Sequence, residues 1–389
     1  MKYRKFSADQ LFDGQVLSGR DRVLITRQDG TVEEVADRAA AGGDIEEFTG
    51  ILSPGLINCH CHTELSHLKN VIPPGTGLVD FLCAVIGNRR FPEAIILEAM
   101  QAAVNEMEAA GIVAVGDICN TADGIAIKQA SSLRWHNFIE VLGFSDERAE
   151  ANIARYQAVQ EVYRSRTAAT ERTVLSPHAP YSISAKTFDL INRYTAGEVI
   201  SMHSQEHPAE DELYTTGRGE FLKLYRLFGL EASPFPVSGK SSLQTCLPHF
   251  RGGQTLLLVH NTFMQEADMI FAHDYARESG IRICFCLCPG ANLYIENRLP
   301  PVMQLLRHGA VPVLGTDSYS SNTRLNIAAE IKILLSGFPE LSLQTVLQWA
   351  TLNGAKALRM EDRLGSFEKG KKPGITLLET NLDGSRRLL

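Results

Sequence analysis

The sequence contains no apolar run approaching the ~20 residues that a membrane span requires. It also lacks a basic excess. Its 38 Lys and Arg against 45 Asp and Glu leave a net charge of −7, the wrong sign for gripping duplex nucleic acid. The leading Met-Lys-Tyr-Arg-Lys-Phe has charge but no apolar stretch behind it, so no secretory signal is expected and a cytoplasmic location is. There is no Cys-x-x-Cys pair, no internal repeat and no low-complexity tract. Eight cysteines in 389 residues do not make a disulfide framework. These absences leave a globular protein acting on a small molecule, without nucleic-acid or membrane partners, and assembly into a homodimer stays open. With 44% hydrophobic and 21% charged residues, the chain can bury a sizeable core.

Residues 1–50 read as short strands and turns, such as Gln28-Asp29-Gly30. From residue 51, short apolar runs alternate with amphipathic helical stretches. The runs are Ile51–Asn58, Ile112–Ile118, Asn137–Leu142, Thr173–His178, Val199–His203, Thr255–His260, Ile281–Leu287 and Val311–Thr316. Runs buried on both faces, each followed by a helical stretch, mark parallel strands with crossover helices, and eight such units close a barrel. Pro92–Ala110, followed by Gly111, reads as a helix with the usual asymmetry of its ends. Another helical stretch spans Thr323–Leu335. The long connections 63–91 and 207–253 read as binding loops. Turn-and-strand character returns at Gly365–Leu378. The expected fold is therefore α/β: a (β/α)8 barrel over residues 56–361, with a small β-sandwich domain built from both termini, residues 1–55 and 362–389.

His60 and His62 follow the first run, and His178, His203 and His260 end the fourth, fifth and sixth. Asp317 ends the eighth. All six fall at the carboxyl ends of strands, the end that carries the active site in such barrels. His60-Cys61-His62 can send two imidazoles from the same side of an extended segment. With His203 and Asp317 they form a nitrogen and carboxylate set suited to one divalent ion, zinc ahead of iron. Such an ion makes hydroxide available at neutral pH. Glu206, three residues beyond His203, would share its face if the chain made a helical turn there, a place for a proton shuttle. His260 can polarise the attacking hydroxide. Glu64 is either a substrate acceptor or a loop carboxylate. His67 and His207 could reach the pocket wall, while His136, His249, His273 and His308 read as packing or surface residues. Cys284, Cys286 and Cys288 would share one strand face, either as a thiolate cluster or, the reading we prefer, as small core side chains.

Five stretches resemble the amidohydrolase superfamily: Pro54-Gly55-Leu56-Ile57-Asn58-Cys59-His60-Cys61-His62, Ser176-Pro177-His178-Ala179-Pro180-Tyr181-Ser182, His203-Ser204-Gln205-Glu206, Leu258-Val259-His260-Asn261 and Leu314-Gly315-Thr316-Asp317-Ser318. Within it the chain looks most similar to the mononuclear deaminase and chlorohydrolase branch. That resemblance implies metal ligation by His60, His62, His203 and Asp317, proton shuttling by Glu206, hydroxide positioning by His260 and a substrate contact at His178. His178 also stands where binuclear relatives carry a carboxylated lysine, which implies one ion. His62-Thr63-Glu64-Leu65-Ser66 is similar to aminodeoxyfutalosine deaminases of menaquinone synthesis. Hydrolytic deamination of that adenine-like nucleoside is the first expectation. S-adenosylhomocysteine, methylthioadenosine or guanine deamination follows, then dechlorination or cyclic amide hydrolysis, and last a scaffold without catalysis. One departure, Gly290-Ala291 in Cys288-Pro289-Gly290-Ala291-Asn292, is expected to alter the substrate pocket.

Overall fold

The computed structural model describes residues 3–168 and 171–389. Eight parallel strands form the barrel: β1 (Leu56–Cys61), β2 (Ile112–Cys119), β3 (Arg134–Val141), β4 (Arg172–Pro177), β5 (Val199–Ser204), β6 (Thr255–His260), β7 (Arg282–Leu287) and β8 (Pro312–Leu314). Strands β1 to β4 pair in sequence, as do β5 to β8. Two seams close the ring. At one, the His203 backbone N–H donates to the carbonyl of His178 at 2.9 Å. At the other, Cys61 bridges Asp317, and the backbone N–H groups of Thr316 and Asp317 donate to the His60 carbonyl at 3.0 and 3.1 Å. The Asn58 side chain clamps this second seam by bonding both the hydroxyl and the N–H of Thr316. Both seams thus pass through residues that the sequence marks for chemistry.

The barrel interior is packed with Ile57, Cys59, Val259, Cys284, Cys286 and Val313, and Cys288 joins the same cluster. Among the described residues no cysteine belongs to a group able to hold a metal. The alternating cysteines fill space as small apolar side chains. Gly315 shows why small residues are needed here: a Cβ on it would lie 2.9 Å from both the Cys288 sulfur and the His60 Cβ.

The run Ile51–Asn58 is two strands, not one. Ile51–Pro54 belongs to a terminal sheet and only Leu56 onward enters the barrel. Gly55 makes the change of direction, and a Cβ there would lie 2.2 Å from a Val113 methyl. Ile51–Pro54 pairs antiparallel with Ile375–Leu378 and parallel with Gln10–Phe12. A second terminal sheet pairs Tyr3–Ser7 with Arg22–Arg27, which in turn pairs with Val32–Asp37. Phe6, Leu11, Leu24, Leu52, Phe367 and Ile375 share one apolar cluster between these sheets.

The helix after Pro92 spans Glu93–Ala109, with Gly111 at φ 83° just beyond its end. The later helix begins at Ile327, not Thr323, because the Asn326 side chain caps it by accepting from the Ala328 N–H. The two long connections are not bare loops. The first contains a helix at Leu78–Asn88, and the second contains helices at Pro208–Thr216, Phe221–Arg226 and Ser242–Cys246. No helix among the described residues is long and apolar enough to cross a membrane.

Candidate active site

Four side chains converge at the carboxyl rim of the barrel. His62 Nε2 lies 3.2 Å from His60 Nε2, 3.3 Å from His203 Nε2 and 3.4 Å from Asp317 Oδ1. His60 Nε2 is 3.6 Å from the same carboxylate oxygen. Tetrahedral ligands at roughly 2.0–2.2 Å from a zinc ion stand roughly 3.3–3.6 Å apart, so the spacing fits a shared cation. The nitrogens are also in the right state to be ligands. His203 Nδ1 lies 2.8 Å from the His178 carbonyl and can only donate to it, which leaves Nε2 with its lone pair when the ring is neutral. Burial, and then the other imidazoles, hold the His203 pKa well below the ordinary histidine range, and burial lowers that of His62. For the Asp317 carboxyl burial acts upward, but the bond to His60 and the charges of His62 and His260 hold it well below the usual range. Two groups of side chains lie close enough to share an ion, His60, His203, His260 and Asp317 in one and His62, Glu140 and His203 in the other, and they meet at His203. With Nδ1 already bonded, His203 offers one nitrogen, so the two sets describe a single centre.

His260 also belongs to this cluster. Its Nδ1 accepts from the Asn292 side-chain amide at 3.2 Å, which places the ring proton on Nε2. That nitrogen lies 3.5 Å from Glu206 Oε1, so His260 presents a donor to the site. Burial lowers its pKa to about 3. Glu206 is 4% exposed, and burial followed by the Asp317 charge pushes its carboxyl well up. The approach of Glu206 differs from the helical turn expected between His203 and Glu206. Strand β5 runs on to Ser204, Gln205 takes a left-handed conformation at φ 45°, and the next helix starts only at Pro208. The Glu210 carboxylate locks this turn by accepting from the N–H groups of Gln205 and Glu206. His260, Asn261 and Asp317 also have positive φ, at 72°, 56° and 56°. Non-glycine residues held there carry strain of order 1–3 kcal/mol each, and such strain clusters at functional sites.

Above this floor lies a cavity of about 850 Å³ including its open mouth. One wall is the face of the Leu78–Asn88 helix carrying Leu78, Phe81, Leu82, Val85 and Ile86, a spacing that places them on one side. Phe144, Leu224 and Phe228 extend the apolar surface. Both long connections therefore contribute to the wall. His178 lines the cavity, with Nδ1 2.8 Å from the Ser182 hydroxyl. Glu64 does not line it. Its carboxylate accepts from the N–H groups of Asn120 and Thr121 at 3.1–3.2 Å, so we move it from substrate contact to support of the wall. Burial raises its pKa to about 7. His67 packs on Phe91, and His207 caps the helix that begins at Pro208, so neither lines the cavity. Gly290 also lies outside the cavity lining. Its N–H bonds Glu330, and a Cβ would press on Asn322 and Glu330. Neither Gly290 nor Ala291 places a side chain on the pocket wall.

Sequence reasoning passed over two residues. Asn292 sets the His260 tautomer, and Glu140, at the end of β3, faces the cavity. Burial acts against the Glu140 carboxylate, but His178 and His62 and the bond from Asn120 hold its pKa below the ordinary range. Neither residue sits in a histidine motif. The only signal for Glu140 was its position at a strand end, the same signal that marked the histidines.

The comparisons agree with this geometry. Over 386 residues the chain is 25% identical to a 5-methylthioadenosine/S-adenosylhomocysteine deaminase of Teredinibacter turnerae, covering 95% of this chain and 80% of that protein. It is 25% identical over 361 residues to an aminodeoxyfutalosine deaminase of a Nitratiruptor species, covering 90% and 84%. The crystal structure of Helicobacter pylori aminofutalosine deaminase with methylthio-coformycin superposes with a TM-score of 0.79 at 21% identity, covering 99% of this chain and 97% of that one. Residues 51–387 match the amidohydrolase family across the barrel and the returning terminal strands, and the chain belongs to that family.

Proposed function

We propose that the protein is a hydrolytic deaminase of an adenine-like nucleoside that releases ammonia. The observation that carries this reading is a buried carboxyl group, Glu206, beside a four-donor cation centre at the floor of a largely apolar cavity. His60, His62, His203 and Asp317 hold one divalent ion, zinc ahead of iron. When bound, that ion supplies a hydroxide nucleophile near neutral pH.

The remaining work falls to the chain's own groups. Glu206 accepts from His260, delivers its proton to a ring nitrogen, which makes the amino-bearing carbon electrophilic, and then relays the proton of the added hydroxyl to the amino group, which leaves as ammonia. His260 donates from Nε2 toward the developing charge at that carbon. His178, which lines the cavity beside His203, contacts the substrate. The apolar wall excludes water, which strengthens each of these interactions.

The wall also bears on the substrate. The acidic side chains among the cavity residues are Glu140, Glu206 and Asp317, all near the floor. An amino-acid tail such as that of S-adenosylhomocysteine would meet Leu, Val and Phe, with the Arg89 guanidinium available to its carboxylate but no acidic partner away from the floor for its ammonium group. An apolar or aromatic 5′ substituent suits the surface better. Aminodeoxyfutalosine is therefore the first substrate assignment and methylthioadenosine the second, in keeping with what the relatives are named for. Zinc-loaded protein assayed for ammonia release against both, with S-adenosylhomocysteine, adenosine, guanine and a chlorinated triazine beside them, tests the reading. Release of chloride without ammonia from any nucleoside would replace it with a dechlorinase.

A further inference from the structure

Glu140 is 5% exposed, lines the cavity, and has one carboxylate oxygen, Oε1, with no hydrogen-bond partner. Its other oxygen accepts from the Asn120 side-chain amide at 2.9 Å. Asn120 is itself fixed, because its backbone N–H donates to Glu64. The chain Glu64–Asn120–Glu140 therefore holds one carboxylate oxygen still and leaves the other buried at the cavity wall without a partner. A buried acceptor left unfilled is unfavourable, and a ligand donor that fills it is correspondingly well bound.

We propose that Glu140 is a specificity-determining residue that accepts a hydrogen bond from a sugar hydroxyl of the substrate. This rests on the nucleoside-deaminase reading and extends it. A purine ring offers acceptors at its nitrogens and a donor at its amino group. The amino group must face Glu206 and His260, where it is lost, so it cannot also fill Glu140. The donors left on a nucleoside are its sugar hydroxyls. The place of Glu140 fits that division of labour: it ends β3, while Glu206 follows β5, so the two carboxyl groups approach the ligand from different sectors of the rim. The apolar wall then receives what the sugar carries at its 5′ carbon.

The experiment compares kcat/KM for 5′-methylthioadenosine with its 2′-deoxy and 3′-deoxy forms, in the wild-type protein and in Glu140→Leu, with metal content measured on both. A hydrogen bond to a charged acceptor corresponds to roughly 10–100-fold discrimination. The wild-type protein is expected to disfavour at least one deoxy form by that factor, and Glu140→Leu to bring the ratio below about 3 with metal content unchanged. If the Leu variant does not fold, Glu140→Gln decides. Asn120 then donates to the amide oxygen, the amide NH2 faces the cavity, and the ratio should fall at least fivefold. A wild-type protein that deaminates all three nucleosides equally, or a ratio unchanged in the variant, overturns the role of Glu140 while deamination stands. Loss of metal in Glu140→Gln assigns the residue to the ion's own site and also overturns it. A metal-loaded protein inert toward every nucleoside removes both readings together.

Discussion

His62 Nε2, 3.2–3.4 Å from His60 Nε2, His203 Nε2 and Asp317 Oδ1, cannot satisfy all three by hydrogen bonding alone. Neutral imidazoles facing each other with lone pairs are tolerable because a cation can sit between them. Glu206 is different: it faces His260 and takes no place among the four donors. Ligation and proton transfer should therefore separate by mutation. Glu206→Gln is expected to keep near-normal metal content and lose roughly 10²–10⁴ in turnover, the range for removing a general acid or base. His203→Ala should lose the metal itself. Elemental analysis and ammonia release on the two purified variants check this, and full turnover in Glu206→Gln would remove the proton shuttle from the mechanism. Most of these residues were legible in the sequence because a histidine at the end of an apolar run is both visible and rare. Glu140 and Asn292 were not, since a carboxylate or amide acquires meaning only from what stands opposite it. The left-handed conformations of Gln205, His260 and Asp317 were equally invisible, because no glycine announces them.

At the scale of elements, the barrel strands were readable and their junctions were not. The apolar run Ile51–Asn58 gave no sign that Gly55 breaks it, because burial on both sides keeps the run apolar throughout. The same limit hid a buried ion pair between Asp117 of β2 and Lys128 of the helix Ile125–Ala130. Asp117 accepts from the N–H and hydroxyl of Thr63, the residue after His62, and also meets the Cys119 thiol and, at 2.5 Å, the Lys128 ammonium. Lys128 is 1% exposed and also reaches Asn137 and the ring of Trp135. Removing one partner of such a pair leaves a buried charge alone, at a cost of about 3–5 kcal/mol. Lys128→Met is therefore expected to lower thermal stability by several degrees. It should also weaken metal retention, because Thr63 no longer has a firmly held Asp117 to anchor the segment carrying His62. Melting curves of the metal-loaded and metal-free forms separate the two effects, and a variant as stable as the wild type would show that Asp117 is held without its lysine.

At the scale of the molecule, we propose residues 1–55 with 362–389 as one unit and 56–361 as the other. The strand that the C-terminal segment covers, Ile51–Pro54, is joined through Gly55 directly to β1, which carries His60. A chain ending at residue 361 should leave Ile51–Pro54 as an exposed sheet edge and yield aggregated or metal-poor protein. A soluble, metal-loaded truncation would show that the barrel stands alone.

The ion itself should couple to the stability of the whole ring. The four ligands we propose for it lie on or just after β1, β5 and β8, and both seams of the barrel run beside them: the His203 N–H bonds the His178 carbonyl, and the Asp317 N–H bonds the His60 carbonyl. Opening either seam separates donors that only the folded ring brings together. An ion that binds the folded form alone stabilises it by RT ln(1 + [L]/Kd), about 4 kcal/mol at a thousandfold excess over Kd. In a large domain each kcal/mol moves the melting temperature by roughly 2–4 °C. Chelation should therefore lower the melting temperature by around ten degrees, and zinc should restore it. The shift should be absent in His203→Ala, which has lost a ligand shared between the seam and the site. It should persist in Glu206→Gln, which has not. If chelation leaves the melting temperature of the wild-type protein unchanged while removing the metal, the ion does not tie the barrel together, and the seam hydrogen bonds alone hold it closed.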